Sequence, residues 1–114
     1  MRILFRACAL TLLFLNAAWS HPPSKILLAF NPIDHILTVT VVHQTQDVLN
    51  HFIDEIILEC NKSKRIMQFF TLQMNNNEQK AVYFLCDLKP GDTVEVTGEC
   101  NVFGKKKEKY QIPL

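Results

Sequence analysis

The chain has no apolar run long enough to span a bilayer, no low-complexity stretch and no internal repeat, which leaves neither a membrane-spanning helix nor a repeat array. Helical periodicity is almost absent. An excess of one charge is missing too: 12 Lys and Arg face 11 Asp and Glu, and the only charge run is the short Lys105–Lys109 segment. That balance excludes the basic surface that a nucleic-acid partner needs. The KKKEK run reads instead as an edge strand whose lysines guard it against pairing with another sheet.

What is there begins with an export signature. Arg2 and Arg6 precede the apolar run Ala7 to Leu15, broken by Thr11, and Ala18-Trp19-Ser20 offers a small-x-small cleavage site. Residues 1–20 are therefore expected to be a signal peptide that takes Cys8 with it. The product would be exported, periplasmic or extracellular, free of the membrane, and would begin at His21. Residues 21–114 are 94 in number, ten basic and eleven acidic, which suits one small domain and not two.

Strand signals fill that domain. Lys25 to Phe30 and Ile36 to His43 flank the turn-forming Asn31-Pro32-Ile33-Asp34 and read as a hairpin. Phe52 to Cys60 alternates loosely and reads as a strand, with a helix the competing reading. Arg65 to Leu72 and Gln79 to Leu85 follow, separated by the asparagine-rich Met74–Glu78 loop. Val94 to Cys100 and Lys106 to Ile112 come after Lys89-Pro90-Gly91-Asp92, a turn with Pro at its second and Gly at its third position. Seven short strands at this spacing predict an all-β fold, a seven-stranded immunoglobulin-like antiparallel sandwich.

Period-two parity places chemistry on the buried face. Val94, Val96, Gly98 and Cys100 form one inward set; Leu37, Val39, Val41 and His43 form another. His51 stands just before the third strand. His43, His51, Cys100 and His21 can thus meet at one pole of the sandwich as a His/Cys metal site, although each histidine taken singly is more often a surface residue. His35, beside the first turn, is expected to face solvent. Imidazole and thiolate suit iron, copper or zinc rather than hard oxygen-liking ions. A blue-copper site is excluded because no histidine or methionine follows Cys100 in NVFGKKKEKYQIPL. Three cysteines remain after signal removal. Either Cys60 and Cys86 form a disulfide that leaves Cys100 free, or all three are reduced and buried.

At this point the chain resembles a known family. HQTQDVLNHFI, from His43 to Ile53, and the closing Cys100-Asn101-Val102-Phe103-Gly104 are similar to the iron-binding domain of desulfoferrodoxin and superoxide reductase. That family has a histidine on one strand, an H-[YF]-I triplet opening the next and a C-N-x-H-G near the end. The likeness runs from about His21 to Lys107. It implies an immunoglobulin-like sandwich whose mononuclear iron, held by four histidines and an axial cysteine, reduces superoxide to peroxide. Carried over, Cys100 matches the cysteine, His51 the triplet histidine, His43 the one upstream of it, and His21-Pro22-Pro23 the first histidine's H-x-P.

The departures are specific. Phe103 stands where the fourth histidine would be, the spacing from His43 to His51 is longer, and Ser20 replaces the lysine that precedes the first histidine. The Z subunit of the bacterial sulfur-oxidation carrier complex is also similar, in its histidine-then-H-[YF]-I run and a G-D-x-V-x-V turn matching Gly91 to Val96. It binds no metal and lacks a cysteine at the position of Cys100.

The leading expectation is an exported desulfoferrodoxin-like iron protein, with His21, His43, His51 and Cys100 as ligands. Superoxide or an electron-donor protein would be its partner, and its oxidoreductase activity would be weakened by Phe103. The alternative is a non-catalytic immunoglobulin-like binding module. Copper held by the amine and imidazole of an N-terminal His21 is the lesser metal reading, and a homo-oligomer is compatible with either.

Overall fold

The computed structural model describes residues 21–114, so the expected signal segment, residues 1–20, lies outside the described residues. Among the described residues there are seven strands: β1 (Lys25–Asn31), β2 (Ile36–Val42), β3 (Ile53–Cys60), β4 (Ser63–Phe69), β5 (Glu78–Phe84), β6 (Thr93–Cys100) and β7 (Lys105–Gln111). They form two antiparallel sheets, β1-β2-β5 and β4-β3-β6-β7, as the strand pattern predicted. β4 pairs with β3 rather than with β5, which distinguishes it from the constant-type immunoglobulin arrangement.

The turns follow from local chemistry. Asn61 and Lys62 adopt φ of 51° and 70°, the paired positive values of a two-residue hairpin turn whose twist matches the strands it joins. That tight turn lets β4 begin at Ser63, two residues before the Arg65 start read from the sequence. In Lys89–Asp92 the Asp92 N–H donates to Lys89 O at 3.0 Å and Gly91 has φ of 89°, as a glycine at the third position of such a turn requires. His35 has φ of 61° and closes the first hairpin. It is half-buried, not solvent-facing, because its ring stands edge-on to Phe30 with centroids 6.3 Å apart.

Alternation builds the core. Leu37, Val39 and Val41 from β2, Ile56 and Leu58 from β3, and Val94 and Val96 from β6 are all fully buried between the sheets. Burial of this kind stabilises by about 25 cal/mol per Å² of apolar surface, the main favourable contribution to the fold. The loose alternation of the third segment has a cause. A bulge between Ile53 and Glu55 lets two residues oppose one on β6, bringing Ile53 inward in step with Ile56.

β7 is an edge strand carrying Lys105, Lys106, Lys107 and Lys109, as the charge run suggested. Lys107 and Lys109 reach across to Glu95, at 3.6 and 3.8 Å. At the opposite flank the Tyr83 hydroxyl of β5 donates to Gln68 Oε1 of β4 at 2.7 Å, joining the two sheets.

The cysteines depart from both expectations. All three are free thiols; Cys60 and Cys100 are buried, but Cys86 is exposed. Cys60 ends β3 on its inward parity, whereas Cys86 follows the buried Leu85 and faces out, so no disulfide joins them.

Candidate metal centre

At one end of the sandwich the chain brings together residues from distant segments. His43 stands one residue beyond β2, and its N–H donates to Asn77 O at 2.9 Å in the β4–β5 loop. It is 1% exposed, at the end of the inward set that also contains Leu37, Val39 and Val41. Cys100 is the last residue of β6. Its own N–H donates to Gly104 O at 3.0 Å, and Val102 N–H points at its Sγ from 3.4 Å.

His51 is placed by a polar turn. Asp47 accepts from Leu49 N–H at 3.2 Å, Asn50 N–H at 3.3 Å and the Asn50 amide at 2.8 Å, while His51 N–H donates to Asp47 O at 2.8 Å. The Asn50 amide and those N–H groups hold the Asp47 carboxyl below its usual range. Asn101 then joins this turn to the cysteine loop. Its Oδ1 accepts from Phe52 N–H at 2.9 Å and its Nδ2 donates to Asn50 O at 3.0 Å, gripping the chain on both sides of His51.

The result is one constellation. Donor atoms of His43, His51 and Cys100 lie within 4.8 Å of one another, so these three could hold a metal ion. The His43 and His51 rings stand at 84° with centroids 4.8 Å apart. His21 lies outside that trio, but its ring centroid is 6.0 Å from that of His43 and 6.1 Å from that of His51. With metal–nitrogen bonds of about 2.1 Å, imidazoles sharing one ion have centroids roughly 4.5 to 6.5 Å apart. Phe103 is 59% exposed on the loop after Cys100 and offers no donor.

Two of these donors are unpaired where pairing is expected. The Nε2 atoms of His43 and His51 are buried and have no hydrogen-bond partner. Burying a polar atom without a partner costs about 1–3 kcal/mol, and a metal ion would satisfy both nitrogens at once. Burial holds the His51 imidazole below its ordinary pKa, aided by the neighbouring His43 and His21 and opposed by Asp47. His51 therefore favours the neutral form that ligates.

A hollow of about 640 Å³ opens beside the site, bounded by His21, His51, Asp47, Asn76 and the Gln44–Gln46 segment. Among the described residues, no lysine or arginine lines it. Sequence parity found His43 and Cys100, and strand-end position found His51. It did not find Gln73, a fully buried glutamine that contacts the His43 ring and backbone. The segment Arg65 to Leu72 reads as one strand, but β4 stops at Phe69 and the chain folds inward, with Gln73 N–H donating to Val48 O at 3.0 Å.

No family model, no curated protein and no solved structure matches this chain.

Proposed function

We propose that this protein is an exported mononuclear iron protein of superoxide-reductase type, its iron held by His43, His51 and Cys100 with His21 as a fourth ligand. The observation that carries the reading is the pair of buried, unpartnered Nε2 atoms on two histidines whose donor atoms lie within 4.8 Å of each other and of a cysteine sulfur. Iron is favoured by the resemblance of HQTQDVLNHFI and Cys100–Gly104 to that family, and an imidazole–thiolate set suits it. Bound iron would supply one-electron exchange between its ferrous and ferric states.

The chain's own residues argue that superoxide reduction is slow or absent. Phe103 removes one imidazole, and the hollow through which a small molecule would approach His21 and His51 presents the Asp47 carboxylate and, among the described residues, no lysine or arginine. Such a wall repels an anion instead of steering it inward. The test is iron content and superoxide consumption in the native protein, Phe103→His and Cys100→Ala. Iron in the native protein, more in Phe103→His and none in Cys100→Ala is expected. Equal, negligible metal in all three would establish the non-catalytic binding module instead.

A further inference from the structure

We infer that Gln73 is a positioning residue that sets the tautomer of His43, keeping the ring proton on Nδ1 and the Nε2 lone pair free for a metal. For its metal-binding consequence the inference rests on the site reading above; the tautomer itself does not.

The hydrogen bonds around Gln73 leave its amide one orientation. Its Nε2 lies 2.7 Å from His43 O and 2.9 Å from Asn75 O, two carbonyls that can only accept. Its Oε1 lies 3.1 Å from Ile53 N–H, which can only donate. Exchanging the two ends would set donor against donor and acceptor against acceptor at all three contacts. Oε1 is therefore the atom that stands 2.9 Å from His43 Nδ1, and because a carboxamide oxygen only accepts, Nδ1 must carry the hydrogen. A neutral imidazole has one N–H, so His43 Nε2 is left with a bare lone pair.

The other protonation states fail on the same geometry. An imidazolium would bury an Nε2–H with no acceptor, since that atom has no partner among the described residues. The reversed tautomer would put the Nδ1 lone pair against the amide oxygen. Gln73 also fixes where the ring sits: through His43 O it holds the end of β2, through Ile53 N–H the start of β3 two residues past His51, and through its own N–H it donates to Val48 O. One side chain, 0% exposed, thus sets both the direction of one ligand's lone pair and the separation of two ligand-bearing segments.

The experiment uses purified, metal-free, ¹⁵N-labelled protein and cobalt(II) as the probe. Long-range proton–nitrogen spectra of the native imidazoles should show His43 protonated on Nδ1 alone. Gln73→Met, similar in length without the carboxamide, should populate both tautomers and bind cobalt(II) about 10 to 100-fold more weakly. Gln73→Glu keeps an acceptor at Oε1, so it should restore the Nδ1–H tautomer and most of the affinity even where melting temperature falls. A native His43 protonated on Nε2, or a Gln73→Met variant that binds cobalt(II) as tightly as native, overturns the inference. Should Gln73→Met fail to fold, the native spectrum decides alone. A fixed Nδ1–H tautomer in a native protein that takes up no cobalt(II) would sink the metal reading and still support the hold of Gln73 on His43.

Discussion

Gly104 and Pro22 fit together with no room for a side chain: a Cβ on Gly104 would run into Pro22 Cβ and stand 3.1 Å from Pro22 Cα. Gly104 also has φ of 83°, a backbone region that non-glycine residues adopt only with strain. The loop that follows Cys100 therefore seats the arm that carries His21.

Gly104→Ala is expected to cost about 1–3 kcal/mol through backbone strain and to push the arm outward. His43, His51 and Cys100 would stay in place while His21 withdraws, so metal affinity should fall by at least about 10-fold without reaching zero. Thermal melting and a metal titration check this. Lower stability with unchanged affinity would show that His21 is not a ligand.

Asn101→Ala removes the two side-chain bonds that hold Phe52 N–H and Asn50 O on either side of His51. At about 1 kcal/mol per bond the expected loss is roughly 1–2 kcal/mol, seen as a lower denaturation midpoint. Hydrogen exchange at Phe52 should rise more than exchange in the middle of β3. Uniform protection across the strand would contradict the clamp.

Gly98 lies beneath Val41, where an added Cβ would come within 2.9 Å of Val41 Cγ1. Gly98→Ala should destabilise by about 1–3 kcal/mol because both residues are enclosed between the sheets. Combining it with Val41→Ala should cost less than the two single changes together, since each relieves the other. Additive losses in a denaturant series would mean that the two positions do not meet.

Tyr83 gives the fold an alkaline limit. Burial pushes its phenol up to about 12 from an ordinary 10.0, and its hydroxyl donates to Gln68 across the sheets. The unfolded chain gives up this proton first, so it binds fewer protons than the folded state above pH 10, and stability falls as pH rises from about 10 to 12. Below pH 10 both states keep the proton and nothing is lost. Tyr83→Phe should lower stability at neutral pH by about 1 kcal/mol, for the hydrogen bond, and show a shallower decline above pH 10. Parallel declines in the two proteins would assign the alkaline loss to the lysines.

Much of the fold was legible because alternation is a local property. Whether a side chain points in or out along β2 or β6 depends only on its parity, and the buried sets Leu37–Val39–Val41–His43 and Val94–Val96–Gly98–Cys100 follow it. Asparagine, proline and glycine at the turns act within four residues, so the hairpins were legible too. Parity missed at β3, where a bulge shifts the count by one between Ile53 and Glu55, because a bulge is defined by the partner strand and not by the strand itself.

By itself the sequence determined seven strands, the inward faces of β2 and β6 and the donor types those faces carry, since each follows from interactions among neighbours in the chain. Only the tertiary structure decided that Cys60 and Cys86 face apart, that His35 turns against Phe30, and that Gln73 reaches His43, 30 positions away in the chain. Those outcomes depend on how the loops return over the sheet ends and where a buried polar atom must find its partner, which no local pattern records.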